Sequence, residues 1–150
     1  MKAIPLLWLL ALVSGALIPV QAAANAALSR SIHDNIPFAA GTLFVVAGLA
    51  TALVALTQGA TLPAWTELRG APWWSYSGGL IVAFYVFTIT FLAPRLGVGT
   101  AISLIVTGQV LAALTIDHFG LMRSLTVPLS PVRLGGSALI VIGVYLALRR

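Results

Sequence analysis

Five apolar stretches, each long enough to cross a bilayer as a helix, constrain what this chain can fold into. We place them at about residues 3–28, 37–57, 73–93, 100–116 and 132–148. About 20 apolar residues in a helix cross the hydrocarbon core. The stretches are continuously apolar and do not alternate with polar residues, so they predict helices instead of barrel strands. The sequence therefore predicts an all-α membrane protein, with a single domain of five transmembrane helices over residues 1–150.

The composition agrees with a chain that is covered by lipid. Of its 150 residues, 60% are hydrophobic and only 7% are charged, whereas soluble domains carry about 25% charged residues. The net charge is +5, but the basic residues stand singly at the ends of apolar stretches, where they anchor helices at the headgroups. We therefore expect the lipid bilayer as a partner and no nucleic acid. Cysteine is absent, and His33 and His118 lie in predicted loops, so we expect neither a metal nor another cofactor.

The first apolar stretch admits two interpretations. Lys2, the leucine-rich run after it and the alanines at 22–24 resemble a secretory signal with its cleavage site. However, the apolar run continues through Val20, and further membrane segments follow it. We interpret this stretch as a retained first transmembrane helix.

The basic residues divide equally between the two sides of the membrane. Five spans put four on one side and four on the other: Lys2, Arg69, Arg123 and Arg133 against Arg30, Arg95, Arg149 and Arg150. An excess of Lys and Arg on one side normally fixes the orientation. With no excess, one sequence can insert both ways and form an antiparallel pair, which reproduces the inverted repeat of many transporters. The alternative is a single orientation set by other factors.

Polar side chains within the spans are the candidate functional residues, because unpaired polar groups are costly in hydrocarbon. In the first span, Gln21 and Asn25 share one helix face. In the third, Trp74 and Tyr85 belong to an aromatic and polar stripe, and in the fourth, Gln109 lies close to the bilayer centre. Each can line a solute site or simply form interhelical hydrogen bonds. We take Gln21, Asn25, Trp74, Tyr85 and Gln109 as candidate substrate-binding residues.

Charged residues are absent from the middle of the predicted spans. Asp117 ends one span, and Asp34 and Glu67 lie in loops. Proton-coupled exporters of cations generally need a buried carboxylate, so the amides and aromatics suit a neutral polar or weakly charged solute. No set of nucleophile, base and orienting residue is visible, and we expect no catalytic residues and no enzymatic activity.

A series of short motifs covers nearly the whole chain. It includes the run from Gly15 to Ser29, Pro72-Trp-Trp, Gly78-Gly79, Ala83-Phe-Tyr-Val, Ala93-Pro-Arg-Leu-Gly97, Gly108-Gln109, Ile116-Asp-His-Phe-Gly120 and Gly143-Val-Tyr-Leu-Ala. Together these motifs resemble the small five-helix family of the drug/metabolite transporter (DMT) superfamily. Larger relatives have ten helices in two inverted halves, so the resemblance implies that this chain is equivalent to one half. It also implies a multi-pass protein of the bacterial inner membrane, which acts as a homodimer or with a paired homologous subunit.

The favoured function is transport of a small-molecule solute by a dimer that works by alternating access. Two alternatives stay open. A passive channel or facilitator would also place polar amides near the midplane. A non-transporting membrane subunit of a larger complex would form a stable heteromer and tolerate substitution of Gln109.

Overall fold

A computed structural model describes residues 4–149, and helices account for 84% of the chain. The helices are α1 (Ile4–Ser31), α2 (Ile36–Thr57), α3 (Trp65–Gly70), α4 (Gly78–Leu96), α5 (Val98–Phe119) and α6 (Pro131–Leu148). Short 3-10 helices cover Trp73–Ser77 and Leu121–Arg123, and no strand occurs among the described residues. Five helices are long and apolar enough to span a membrane, which confirms the predicted fold class.

The transmembrane helices extend up to three residues beyond the ends predicted from hydropathy. α1 continues to Ser31 instead of residue 28, α4 to Leu96 instead of residue 93, and α5 to Phe119 instead of residue 116. His118 is therefore on the last turn of α5 and not in a loop. Polar residues at helix ends extend the helix past the hydrocarbon core, where apolarity no longer marks it. The predicted start of the first span at Ala3, and the charges of Lys2 and Arg150, lie outside the described residues.

Side-chain caps and prolines fix where two of the spans begin. The Asn35 side-chain oxygen accepts a hydrogen bond of 3.0 Å from the backbone N–H of Phe38, and Pro37 occupies the first turn of α2. The Ser130 hydroxyl accepts a bond of 3.2 Å from the backbone N–H of Arg133, and Pro131 opens α6. Both arrangements satisfy backbone donors that the first turn of a helix leaves unpaired.

Left-handed backbone conformations make the turns between helices short. His33 and Asp34 have φ angles of 60° and 58°, and they reverse the chain between α1 and α2. Gly120, with φ of 59°, ends α5. A Cβ atom at Gly120 would also collide with the hydroxyl of Thr126, so both its backbone conformation and its surroundings require glycine.

The segment between α2 and α4 is more ordered than the predicted loop. It contains the six-residue helix α3, whose start is capped by a bond of 2.8 Å from the Ala64 N–H to the Glu67 carboxylate. The Tyr76 hydroxyl donates a bond of 2.7 Å to the Leu68 carbonyl and so ties the following 3-10 helix to α3. The exposed aromatic rings of Trp65, Trp73 and Tyr76 are typical of side chains at the membrane interface.

The chain divides into two compact units, one ending at Arg95 and the other beginning at Leu96. In the first unit, α1 packs against α2, and Ala26 and Ala39 are buried. Such small residues allow close helix contact in membranes. In the second unit, α5 packs against α6, and a 2.7 Å ion pair joins Asp117 to Arg133. The Leu129 N–H also donates to His118 Nδ1 at 3.2 Å, which gives this histidine a structural role.

Few side chains are covered by other residues of the same chain. In the most apolar 18-residue window of each span, the buried share is 22% for Trp73–Leu96 and 11% or less for the other four. Most leucine, valine and phenylalanine side chains are exposed. Most of the apolar surface is therefore left for lipid or for a second copy to cover.

Candidate functional site

A buried hydrogen bond joins two membrane helices of the first unit. The side-chain amide of Asn25 on α1 donates to the hydroxyl oxygen of Thr90 on α4 at 2.9 Å. Asn25 is 5% exposed and Thr90 is 1% exposed. The structure thus gives one candidate residue, Asn25, a partner on another helix. Sequence reasoning missed Thr90, although a buried asparagine in a span requires such a partner.

Two further candidates in this unit have polar atoms that are buried without a partner. Gln21 Nε2 and the Tyr85 hydroxyl are shielded from solvent and make no hydrogen bond within the described residues. An unpaired buried donor costs about 1–3 kcal/mol. Native proteins keep few such groups, and those that persist call for an explanation in function or in a bound partner.

Gln21 on α1 and Tyr85 on α4 lie at similar depths along their helices, but Tyr85 and Thr90 lie on different faces of α4. Gln21 precedes Asn25 by four residues, and Tyr85 precedes Thr90 by five. One cavity is lined by Ser29 and Arg30 of α1 and by Pro94 and Arg95 of α4, so the two helices run in the same direction. Relative to the Asn25–Thr90 bond, the depths of Gln21 and Tyr85 therefore differ by only about 1.5 Å. Tyr85 is about 140° around α4 from Thr90, so α4 carries polar groups on both flanks of its buried face.

The remaining candidates have different environments. Trp74 is half-buried and lies in the 3-10 helix before α4, where its carbonyl accepts a 2.7 Å bond from the Ser77 hydroxyl. This break in the helix means that the stripe predicted through Trp74 and Tyr85 is not a single α-helical face. Gln109 lies in the second unit and is exposed. Its amide has no hydrogen bond to another described residue. By contrast, the hydroxyls of Thr107 and Thr115 each donate to a carbonyl of their own helix.

The cavity at the C-terminal ends of α1 and α4 has a volume of about 340 Å³. Its lining includes the hydroxyl residues Ser29 and Thr90 and the charged residues Arg30, Asp34 and Arg95. Thr90 therefore borders both this cavity and the buried bond to Asn25. Sequence reasoning placed the two arginines on one side of the membrane but did not bring them to a common site.

Comparison with known protein families shows which family the chain belongs to. The family described as "Putative inner membrane exporter, YdcZ" matches residues 6–146. The chain belongs to the YdcZ family of the DMT superfamily. The resemblance drawn from the motifs is thereby confirmed, and so is the multi-pass location in the inner membrane. No curated protein and no solved structure matches the chain.

Membership of the YdcZ family indicates which roles the candidate residues can have. The description of the family names an inner membrane exporter, so polar side chains within the spans are expected to serve solute passage or helix assembly. Among residues 4–149, no group of three or more His, Cys, Asp or Glu side chains could hold a metal ion. Away from their ends, the described spans offer neutral amides, hydroxyls and aromatic rings for solute recognition.

Proposed function

We propose that this YdcZ-family protein carries small polar or weakly charged solutes across the inner membrane by alternating access, working as a dimer. The solute would contact Gln21, Asn25, Trp74, Tyr85 and Gln109, and it would cross without chemical conversion. Family membership supports the export of a solute.

The unpaired donors of Gln21 and Tyr85 are the observation that carries this proposal. Both atoms are buried, and neither has a hydrogen-bond partner among the described residues. A solute with carbonyl, hydroxyl or carboxylate oxygens would supply the missing acceptors. It would then recover the free energy that these donors cost in the empty protein.

The charge distribution supports the proposed class of solute. Asp34 and Glu67 are exposed, and Asp117 lies on the last turn of α5, paired with Arg133. Within the described spans, no carboxylate is therefore placed to balance a fully charged cation at mid-membrane. Amide and phenol groups bind polar solutes through directed hydrogen bonds instead.

Open polar and glycine positions support the proposed dimer. Gln109 is exposed, and its amide cannot face lipid without a large cost. At the adjacent Gly108, and also at Gly78 and Gly79, a Cβ atom would meet no neighbouring atom within 4 Å. Within the described part of its own unit, none of these glycines serves close packing, and we propose that helices of a second copy approach there. Gln109 would then face the solute pathway beside the partner.

Ligand-dependent stabilisation tests the proposed function. The purified protein in neutral detergent is screened for a rise in unfolding temperature across a library of polar metabolites, because a ligand that binds only the folded state stabilises it. A true solute should stabilise the wild type but not Gln21→Leu or Tyr85→Phe, and it should drive counterflow in proteoliposomes. Flux without counterflow would indicate a passive channel. A protein that binds and transports nothing, but copurifies with a fixed membrane partner, would indicate a non-transporting subunit.

A further inference from the structure

The cavity at the C-terminal ends of α1 and α4 carries charges of both signs. Arg30, Arg95 and Asp34 line the same space of about 340 Å³. Arg30 and Asp34 are four residues apart, a spacing at which opposite charges on one helix commonly pair. α1 ends at Ser31, and Asp34 follows in a left-handed turn with φ of 58°. Among residues 4–149 the Asp117–Arg133 contact is the ion pair present, so Arg30 and Asp34 do not form a direct ion pair with each other.

Arg95 is held in place while most of its donors stay free. One of its terminal nitrogens donates a 2.7 Å bond to the Phe91 carbonyl, and its guanidinium lies 3.6 Å from the centre of the Phe91 ring. A guanidinium has five N–H donors, and among residues 4–149 this is the hydrogen bond that Arg95 donates, so four donors are left available. Stacking on an aromatic ring also reduces the conformational freedom that a bound ligand would have to remove.

Two hydroxyl groups add donors at the inner wall of the cavity. Ser29 and Thr90 are buried residues that line it. Threonines 42, 51 and 115 donate their hydroxyl hydrogen to the carbonyl four residues earlier. Thr90 makes no such bond within the described residues; its oxygen accepts from Asn25. Its O–H is therefore free to donate to a group in the cavity.

Opposing charges decide which ligand class suits the cavity. Asp34 and the carbonyl ends of α1 and α4 disfavour a ligand that is only anionic. The two guanidinium groups disfavour one that is only cationic. A molecule with an anionic oxygen group beside an ammonium group satisfies both sets, because the arginines and hydroxyls bind the oxygens and Asp34 binds the ammonium.

We propose that this cavity binds a zwitterion that carries a phosphate near an ammonium group. Two sources have this chemistry: the headgroup of phosphatidylethanolamine at the membrane surface, and a free zwitterionic solute. This binding is separate from the proposed transport function, because it takes place at the C-terminal ends of α1 and α4 and is measured without solute flux.

Binding by the full chain in dodecyl maltoside micelles tests the proposal. One arm uses free O-phosphoethanolamine and follows the unfolding temperature. The other adds phosphatidylethanolamine or phosphatidylglycerol and counts bound lipids by native mass spectrometry. We expect saturable binding of at least one ethanolamine probe, and preference for phosphatidylethanolamine over phosphatidylglycerol in the lipid arm. Binding of the lipid alone would identify the headgroup as the ligand, and binding of the free compound would identify a solute.

Charge variants separate a zwitterion site from a plain anion site. Arg95→Gln and Asp34→Asn should each weaken binding of the ethanolamine probe about tenfold, because each removes one charge-assisted interaction. Arg149→Gln is the matched control, since Arg149 stacks on Tyr145 four residues earlier, as Arg95 does on Phe91, but lies in the other unit. It should bind normally. The unfolding temperature of each empty variant checks that it is folded.

Three results would overturn the proposal. If Asp34→Asn binds as well as or better than the wild type while Arg95→Gln binds weakly, the site accepts anions and not zwitterions. If Arg149→Gln weakens binding as much as Arg95→Gln does, the interaction is a general attraction to arginine. If neither ethanolamine probe binds the folded wild type, the cavity has no such ligand.

Discussion

The Asn25 amide on α1 donates a 2.9 Å hydrogen bond to the Thr90 hydroxyl oxygen on α4. The two residues are 65 positions apart in the chain, and both are buried. In hydrocarbon neither group has water as an alternative partner. The bond therefore contributes to holding the two helices of the first unit in a fixed register, and it lies beside the cavity that contains Arg95.

Removal of the Thr90 hydroxyl should weaken the first unit. Thr90→Val keeps the shape of the side chain but leaves the Asn25 amide without its acceptor. We expect a loss of about 0.6–1.7 kcal/mol in the free energy of unfolding, from the average to the largest value measured for hydrogen bonds between membrane helices. Reversible unfolding in mixed micelles measures this change.

Thr42→Val is the control for Thr90→Val, because the Thr42 hydroxyl donates only to the Phe38 carbonyl of its own helix. It should change the free energy of unfolding little. In the double variant Asn25→Leu with Thr90→Val, the two losses should not add, since both remove the same bond. Additive losses would show that the bond does not contribute to stability.

Removal of the unpaired donors should have the opposite effect on stability. Gln21→Leu and Tyr85→Phe each delete a buried polar atom that has no hydrogen-bond partner among residues 4–149. The empty protein should be unchanged or stabilised by up to about 1–3 kcal/mol, because the cost of the unpaired group disappears. Ligand-induced stabilisation should be lost at the same time. A clear destabilisation of the empty protein would mean that these groups hold helices together and do not await a solute.

The dimer should persist when Gln109 is changed. In lipid bilayers, single-molecule photobleaching of labelled wild-type protein should show two bleaching steps at densities where random overlap is rare. Gln109→Leu should also give two steps while it loses solute-dependent stabilisation. One-step bleaching of the wild type at every density would rule out the dimer. One-step bleaching of Gln109→Leu alone would show that the amide joins the two copies.

The orientation of the chain should respond to small changes in loop charge. Four basic residues lie on each predicted side, so a reporter fused after Arg150 should be active on both sides of the membrane. Two lysines added between residues 58 and 64 should retain that loop in the cytoplasm and bias the reporter to one side. A reporter that is active on one side only, and that the lysines do not shift, would indicate a fixed orientation. The inverted partner would then have to be another chain.

The five spans could be predicted from the sequence because length and continuous apolarity are enough to define them. Turn signals also fixed several ends: Pro37 lies in the first turn of α2, and Gly97, with φ of 83°, separates α4 from α5. The helix α3 was not predicted, because a six-residue helix is too short to show a clear hydrophobic period. The 3-10 conformation of Trp73–Ser77 was missed for a similar reason, and it interrupts the stripe expected from Trp74.

The candidate site was only partly predictable. The cost of burying an amide in lipid identified Asn25 as a residue that needs a partner, but pattern alone could not select Thr90 from the other hydroxyl residues. The same limit applied to Arg30, Arg95 and Asp34, which share a cavity through the packing of α1 and α4 and not through a sequence motif.

The scarcity of buried side chains has a consequence for how this protein tolerates change. Where a residue meets lipid tails, leucine, isoleucine, valine and phenylalanine are nearly equivalent, because the surrounding liquid adapts its shape to each of them. A substitution there leaves no void to fill. The fold is instead sensitive at a small number of points, namely the buried alanines, Asn25 with Thr90, and the glycine turns. Most positions in the spans can therefore exchange one apolar residue for another, whereas a few small and polar positions determine the fold.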